Sequence, residues 1–215
     1  MVSPVRFWER SAGFYDTGID RVFGNSMRRI FLDTLQEEQP KLGRTVEFGC
    51  GTGYYTPVLA RLSEKVVATD IADRMLDRTR ERTRDIPTVT VQKENCEKTT
   101  FPSASFDTAF LGLTLHLVNG PATLSEMHRI LKPGGRLLLT VPTIEGLGLP
   151  GILRALFRNL QVFGRLRQPG TVLYTHKTLG DLIASSGFTV LGMKRLSDLE
   201  HPGGFSGLYV QAVKE

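Results

Sequence analysis

The fold is decided by VEFGCGTG, residues Val46 to Gly53, in which a short apolar run passes directly into three alternating glycines. Thr45 to Phe48 has the composition of a short β-strand, and Tyr54 to Ser63 has the length of a helix that begins just after the loop. Glycines let the backbone turn tightly and approach a ligand without an intervening Cβ. The following helix directs its amide groups and positive dipole end at that ligand. The stretch therefore predicts a strand–loop–helix unit that holds a nucleotide-like ligand.

Segments of β and α character alternate along the chain after this loop. We predict strands at Val66–Thr69, Val89–Gln92, Thr108–Leu113 and Arg136–Val141, and helices at Ala72–Arg84 and Ala122–Leu131. The run KPGG, Lys132 to Gly135, is expected to end the last helix and turn the chain sharply. Strands that alternate with helices predict a doubly wound, mostly parallel α/β sheet, which binds ligands at the carboxyl ends of its strands.

The two ends of the chain depart from this alternation. Ser26 to Gln39 has apolar residues at a spacing near 3.6, which predicts a helix. Phe188–Arg195 and Phe205–Val213 are two predicted strands with no helix between them, so we expect an antiparallel hairpin. We expect one domain with an N-terminal helical cap at 1–43, a ligand-binding core at 44–142, an insertion over the active site at 143–176, and a last helix with the hairpin at 177–215.

Composition restricts the classes of protein to consider. The 215 residues are 40% hydrophobic and 23% charged, as in ordinary soluble globular proteins. Two cysteines, Cys50 and Cys96, are too few for a disulfide framework or a metal cluster, so we expect reduced thiols, no metal and a cytoplasmic location. The N-terminus lacks the apolar core of a signal peptide. The longest uncharged stretch, Thr108 to Ser125, contains Asn119 and Pro121 and is a poor membrane span.

The chain has a net charge of +5, and many of its basic residues lie in two clusters. The arginines between Arg74 and Arg84 are interleaved with acidic residues, which is typical of the solvated face of a helix. Arg154, Arg158, Arg165 and Arg167 have no acidic residue nearby and lie among large apolar residues. Such a segment can be an amphipathic helix packed on the sheet, a lid over an apolar acceptor, or a contact with an acidic group or a membrane surface. The sequence leaves these interpretations open.

Asp70 ends the second predicted strand, shortly after the glycine loop. A carboxylate at this position can accept hydrogen bonds from both hydroxyls of a ribose. The alternative is a strand-end residue that caps the following helix. The glycine loop before Asp70 favours the ribose role, although its strict alternation differs from the G-x-G-x-x-G spacing of dinucleotide sites. A cofactor that contains ribose is therefore expected.

These motifs together resemble the class I S-adenosylmethionine-dependent methyltransferases, especially a small-molecule group that includes quinone-biosynthesis methylases. The resemblance covers about Arg44 to Pro142. VEFGCGTG looks like the first family motif, VVATDI at Val66 to Ile71 the second, and Phe106 to His116 the fourth. RILKPGG, Arg129 to Gly135, is similar to the stretch before the fifth strand and is the most family-specific motif. The resemblance implies a Rossmann-like methyltransferase fold and S-adenosyl-L-methionine as the cofactor.

The resemblance also implies a role for individual residues. The implied cofactor-binding residues are Tyr15, Glu47, Gly49, Gly51, Gly53, Asp70, Ile71, Met75, Asn95, Cys96 and Leu111. Glu47 and the glycines would face the methionine portion, Asp70 the ribose and Ile71 the adenine. Asn95 would meet the adenine amino group; it stands where relatives usually have aspartate, which keeps a side-chain acceptor but removes its charge. Leu111 would place a backbone carbonyl near the cofactor amine.

Methyl transfer from a sulfonium is an in-line displacement, so the protein mainly aligns the acceptor and removes water. A general base is needed only if the acceptor carries a proton that must leave early. The candidate catalytic residues are His116, His176 and Tyr15. The alternative for His116 is a hydrogen-bonded structural histidine after a buried strand, and the alternative for His176 is a residue at the start of a helix capped by Thr175 and Thr178.

We therefore expect an enzyme that methylates an oxygen, nitrogen, sulfur or carbon atom of a small, partly apolar molecule. No nucleic-acid partner is expected, because Leu111 to Thr114 lacks the Asp/Asn-Pro-Pro-aromatic signature of base-amino methylases. No transmembrane segment is expected, while a peripheral membrane contact stays open. The alternatives are a nicotinamide-dependent oxidoreductase and a non-catalytic relative that binds the cofactor. The sequence does not identify the acceptor or the oligomeric state.

Overall fold

The computed structural model describes residues 4–39, 41–164, 170–198 and 206–215, which contain a seven-stranded sheet. Its strands are β1 (Arg44–Phe48), β2 (Lys65–Asp70), β3 (Val89–Lys93), β4 (Phe106–Gly112), β5 (Leu131–Thr143), β6 (Phe188–Ser197) and β7 (Ser206–Lys214). They lie in the order β3-β2-β1-β4-β5-β7-β6. Neighbours among the first five strands pair in parallel, and β7 pairs antiparallel with both β5 and β6. The predicted doubly wound, mostly parallel sheet with an antiparallel hairpin is confirmed.

Helices cover both faces of this sheet. They are α1 (Pro4–Ser11), α2 (Tyr15–Phe23), α3 (Asn25–Gln36), α4 (Thr56–Leu62), α5 (Asp73–Thr83), α6 (Gly120–Ile130), α7 (Leu149–Phe163) and α8 (His176–Ser185). The helices predicted from apolar spacing are found with ends shifted by a few residues. In α3 the periodicity has the expected cause, because Met27, Phe31 and Leu35 recur every four residues and are all buried.

Two apolar layers hold the sheet between its helices. On one face, α6 and α8 pack against the strands through Leu124, Met127, Leu179 and Ile183. On the other face, α3 and α4 contribute Met27, Phe31, Leu35, Val58 and Leu59. The inner strands are buried along almost their whole length, as parallel strands covered on both faces must be. In the part of the chain that the structure describes, no helix is long and apolar enough to cross a bilayer.

The last predicted helix of the core ends where expected, because α6 ends at Ile130, but the fifth strand begins earlier than predicted. The run from Lys132 to Gly135 was expected to separate a helix from the fifth strand, yet β5 already begins at Leu131, which pairs with Phe106. The next pair is Thr108 with Arg136, so the run forms a bulge inside the strand rather than a separate connection. Gly134 makes this possible by adopting a φ of 71°. The pairing of Leu131 with Phe106 joins residues distant in sequence, so the residues of the turn do not predict it.

The end of β5 also extends beyond the predicted Val141. Antiparallel pairing with β7 continues to Thr143, which pairs with Ser206. The partner strand supplies these extra hydrogen bonds, so the strand length depends on a segment distant in sequence. The predicted start of that partner at Phe205 lies outside the described residues, and so do Arg165 and Arg167 of the second basic cluster.

A buried carboxylate joins the N-terminal helices to the last strand. Glu38, just after α3, accepts hydrogen bonds from the Tyr209 hydroxyl at 2.6 Å and the Gln211 amide at 2.7 Å. It also forms an ion pair with Arg136 of β5. Buried polar groups are stable only when they are paired in this way. Glu38 therefore links the end of α3 to β5 and β7.

We expect Glu38→Ala to lower the free energy of unfolding by about 3 kcal/mol, because a buried charged acceptor is lost while its donors remain. Urea denaturation followed by circular dichroism measures the change. Glu37→Ala is the matched control: Glu37 is exposed, and its removal should change stability by less than about 0.5 kcal/mol. Equal effects of the two substitutions would contradict this role of Glu38.

Candidate functional site

A cavity of about 370 Å³ opens at the carboxyl edge of the parallel strands. The winding of the sheet reverses between β1 and β4, and this is where ligands bind in open α/β sheets. The cavity has the size of a small-molecule site. Its lining consists of Val5, Trp8, Tyr15, Gly49, Gly51, Asp70, Ile71, Met75, Glu94, Asn95, Cys96, Glu97, Leu113, Thr114, Leu117 and Val118.

The glycine loop forms the floor of this cavity because of its backbone conformation. Gly49 and Gly51 have φ values of 64° and 56°, in the left-handed region that favours glycine. A Cβ on Gly49 would overlap the side chain of Thr114. The carbonyl of Gly51 accepts a hydrogen bond of 2.9 Å from the Thr79 hydroxyl on α5. The loop is thus held from both sides while its backbone stays accessible to a ligand.

Asp70 connects this loop to the end of β2. Its carboxylate accepts hydrogen bonds from the Gly51 amide at 3.0 Å and from the Ala72 amide at 2.9 Å. Burial raises the pKa of Asp70, while the two amides oppose that shift. The bond to Ala72 means that the helix-capping interpretation of Asp70 also applies. Asp70 nevertheless lines the cavity, so the two interpretations are compatible.

The segment after β3 forms a tight turn beside Asp70. The carboxylate of Glu94 accepts hydrogen bonds from the Gln92 side-chain amide at 2.7 Å and from the Thr100 backbone amide at 3.1 Å. The side-chain oxygen of Asn95 accepts one from the Glu97 amide at 3.0 Å. These bonds hold the turn in one conformation, in which Glu94 and Asn95 line the cavity.

The opposite side of the cavity is apolar. Leu113, Leu117 and Val118 follow β4, which lies on the other side of β1 from β2 and β3. Leu113 has a φ of 53°, an uncommon conformation for a residue with a side chain. Its amide donates a hydrogen bond of 2.9 Å to the Thr140 carbonyl, which stabilises that conformation. Polar and apolar groups thus line opposite sides of one space.

Helices α1 and α2 cover the cavity. The rings of Trp8 and Tyr15 pack edge to face at 5.9 Å. A Cβ placed on Gly51 would lie 3.7 Å from the Tyr15 ring, so Tyr15 stands directly over the glycine loop. The Glu9 carboxylate accepts hydrogen bonds from the amides of Asp73 at 2.6 Å and Arg74 at 3.3 Å, which joins α1 to the first turn of α5.

Asp16 anchors this cover to the core. Its carboxylate accepts hydrogen bonds from Thr52 at 2.7 Å, Arg28 at 2.7 Å and Arg82 at 2.8 Å. Burial alone would raise the pKa of Asp16, but these three donors outweigh it and lower the pKa. Arg28 also pairs with Asp20 at 2.8 Å and lies over the ring of Tyr54.

Three of the predicted cofactor-binding residues lie outside the cavity lining. Glu47 is buried in β1, accepts a hydrogen bond of 2.6 Å from Thr56, and has its pKa raised to about 8 by burial. Leu111 pairs with Phe48 and is buried within β4. Gly53 faces Thr79. Their cofactor-binding roles stay predictions.

The candidate catalytic residues are dispersed. His116 is buried beside the cavity-lining Leu117, and burial lowers its pKa to about 3, so the imidazole is neutral. No partner for its Nδ1 atom is found among the described residues. His176 is exposed at the start of α8, where Thr175 and Thr178 form a capping box. Only Tyr15 of the three lines the cavity, and burial raises its pKa to about 12. The catalytic roles stay predictions.

The two thiols and the arrangement of possible metal ligands bear on the predictions of reduced cysteines and no metal. Burial raises the pKa of Cys50, and it raises the pKa of Cys96 to about 11, so both thiols are protonated near neutral pH. Within the described ranges, no group of three or more His, Cys, Asp or Glu side chains is arranged to hold a metal ion.

Sequence reasoning missed several residues that line the cavity. They are Val5, Trp8, Glu94, Glu97, Leu113, Thr114, Leu117 and Val118. The residues after β4 could have been found, because they directly follow a predicted strand at the ligand-binding edge. Trp8 could not, because its position depends on the contact between Glu9 and α5.

Comparison with known proteins adds to this geometry. Residues 46–139 match a family model described as a methyltransferase domain. The ubiquinone/menaquinone biosynthesis C-methyltransferase UbiE of Proteus mirabilis is 38% identical over 103 residues, which are 45% of this chain and 41% of that protein. The malonyl-[acyl-carrier protein] O-methyltransferase of Serratia marcescens is 31% identical over 136 residues, 62% of this chain and 50% of that protein. The chain thus spans half or less of the length of these relatives.

A solved structure shares the fold over nearly the whole chain. It is a Thermotoga maritima protein described as an S-adenosylmethionine-dependent methyltransferase, possible histamine N-methyltransferase. The TM-score is 0.75 with 22% identity, over 98% of this chain and 99% of that one. At this identity the likeness concerns the fold.

The raised pKa of Glu47 predicts a pH dependence of stability. The unfolded chain releases this proton near the ordinary pKa of 4.5, whereas the folded chain keeps it until about pH 8. Stability is therefore lost as pH rises between these values. Glu47→Gln removes the titration but keeps an acceptor for Thr56. We expect the stability of this variant, relative to the wild type, to rise by about 2–4 kcal/mol between pH 5 and pH 8.

Urea denaturation at several pH values, without ligand, measures this difference. Glu64→Gln, at an exposed position, is the control and should show a difference that does not change with pH. The assignment to Glu47 would be wrong if its variant behaved in the same way as the control.

Proposed function

We propose that this chain, whose residues 46–139 match the methyltransferase domain family model, is an S-adenosylmethionine-dependent methyltransferase acting on a small, partly apolar acceptor. The observation that carries the proposal is the composition of one cavity. The cavity combines glycines in the left-handed backbone conformation, the carboxylate of Asp70 at the end of β2, and the apolar side chains that follow β4. The glycines and Asp70 match a ribose-containing cofactor, and the apolar side chains match an apolar acceptor.

The residues present fit such a cofactor. Each carboxylate oxygen of Asp70 accepts one backbone amide and retains lone-pair capacity, so it can also accept hydrogen bonds from ribose hydroxyls. A side chain at position 51 would occupy the space between the loop and the Tyr15 ring, and Gly51 leaves that space open for a ligand. When bound, S-adenosylmethionine supplies an electrophilic methyl group on a sulfonium.

The chain itself would contribute alignment and exclusion of water. Trp8 and Tyr15 cover the glycine loop and would separate a bound ligand from solvent. Leu113, Leu117 and Val118 would position the apolar part of the acceptor. His116, with a pKa of about 3, and Tyr15, with a pKa of about 12, are not poised to remove a proton near pH 7. We therefore propose that catalysis relies on positioning more than on either of these groups as a base.

The acceptor is proposed only as a chemical class. The two relatives are named as a C-methyltransferase and an O-methyltransferase, so their names differ in the atom that is methylated. The helical cap at 1–43 and the insertion at 143–176 are proposed to complete the acceptor side of one domain. A nicotinamide-dependent oxidoreductase is not favoured, because the family match and the alternating glycines support a methyl donor instead.

Cofactor binding tests the role of Asp70. Asp70→Asn should weaken binding of S-adenosylhomocysteine by about 10- to 100-fold, because asparagine offers one acceptor oxygen and no charge. Isothermal titration calorimetry measures the affinity, and circular dichroism verifies the fold. Asp77→Asn, at an exposed position on α5, is the matched control and should bind normally. Unchanged affinity of Asp70→Asn would remove Asp70 from the ribose site.

The activity is tested with a panel of small acceptors and detection of S-adenosylhomocysteine release. We expect release with at least one partly apolar acceptor and none with nucleic acid. Tight binding of a nicotinamide cofactor, with no binding of S-adenosylmethionine or its product, would overturn the proposal. Tight binding of the methyl donor without turnover of any acceptor would favour a non-catalytic relative.

A further inference from the structure

Helix α7 exposes a stripe of large apolar side chains. Leu149, Leu153, Phe157 and Leu160 are exposed by 71%, 58%, 58% and 42%. They recur every three or four residues and therefore lie on one side of the helix. Helices of globular proteins normally bury such a stripe, and a contiguous exposed one marks an interaction site. The stripe is therefore a candidate interaction surface.

The opposite side of α7 is already used. Gly151 and Asn159 are buried, and a Cβ on Gly18 of α2 would lie 2.9 Å from the side chain of Val162. The ring of Phe163 packs against Phe7 at 5.9 Å. The helix therefore rests on α1 and α2, the cover of the cavity, and turns its apolar stripe outward.

Other exposed apolar residues lie near the same edge of the molecule. Phe14, adjacent to Tyr15, is exposed by 45%, and its ring is 6.2 Å from that of Phe163. Val172 and Leu173 are also exposed, and the amide of Val172 donates a hydrogen bond to the His116 carbonyl just after β4. Exposed apolar residues thus lie beside the cover, at Phe14, and beside the strand ends that carry the cavity, at Val172 and Leu173.

The charge of this segment indicates the nature of the partner. Between Glu145 and Asp181 the sequence has no acidic residue, but it has four arginines and one lysine. Among the described residues, no ion-pair partner is found for Arg154 or Arg158. An apolar stripe on a helix whose other residues include cations matches an anionic lipid surface, where the stripe enters the acyl boundary and the long arginine side chains reach toward the headgroups. A purely apolar protein partner would leave these charges without a counterpart.

We propose that α7 lies on an anionic membrane surface through Leu149, Leu153, Phe157 and Leu160, with Arg154 and Arg158 at the headgroups. Binding in this orientation would hold the cover of the cavity close to the lipid, with α7 between them, and the lipid is where an apolar acceptor is concentrated. The membrane contact does not depend on the proposed methyl transfer, and it is measured without cofactor or acceptor.

Cosedimentation of the full chain with phosphatidylcholine vesicles, with and without phosphatidylglycerol, tests the proposal. We expect at least about tenfold tighter binding when phosphatidylglycerol is present, weakened by added salt. Leu153→Gln with Phe157→Gln should reduce binding by about tenfold or more. Leu191→Gln, which removes a leucine exposed by 65% on β6, is the control and should bind as the wild type does.

A second pair of variants separates charge from apolar contact. Arg154→Gln with Arg158→Gln should lose about tenfold in binding to the anionic vesicles. Lys41→Gln with Lys65→Gln removes the same charge at exposed positions elsewhere and should have a much smaller effect. Absence of binding to anionic vesicles, or binding that neither pair of α7 variants weakens, would overturn the proposal. So would a wild-type dimer that Leu153→Gln with Phe157→Gln converts to a monomer, since the stripe would then join two copies.

Discussion

The Asp16 carboxylate is the interaction on which the arrangement of the site depends. It joins α2 to the glycine loop through Thr52, to α3 through Arg28 and to α5 through Arg82. Arg28 is buried, and an unpaired buried guanidinium is costly, so α2 is held where Asp16 and Asp20 can reach it. Tyr15 is the neighbour of Asp16 in sequence, and it is thereby placed over Gly51. The ion pairs of Asp16 and Arg28 thus hold α2 over the cavity.

Burial shifts the pKa values of several ionisable groups in and beside the cavity. Asp70, which lines the cavity, has its carboxylate supported by two backbone amides. Glu47 and His116, which are buried beside it, are shifted by burial toward their neutral forms. Neutral buried groups avoid the cost of an unpaired charge in a low-dielectric interior. The arrangement suits a reaction in which the protein orients two molecules and excludes water.

The part of the chain matched by the methyltransferase domain family excludes segments at both of its ends. Residues 46–139 include most of β1, all of β2 to β4, most of β5 and the glycine loop. The cover formed by α1 and α2 and the apolar helix α7 lie outside that match. A shared fold hosts many acceptors, because specificity is decided by the segments built around its binding edge. We therefore expect the cover and α7 to determine which acceptor is bound and from which surroundings it is taken.

The sequence by itself determined the parallel core, the glycine loop and the position of Asp70, because periodicity and glycine act over a few neighbouring residues. It also indicated the antiparallel hairpin. Only the tertiary structure decided that Trp8 enters the cavity, that Glu47 lies outside the lining, and that Lys132 to Gly135 bulges within β5. Each of these depends on partners distant in sequence, such as α5 for the N-terminal cover and Phe106 for β5. Burial and long-range hydrogen bonds, which no local pattern encodes, determine them.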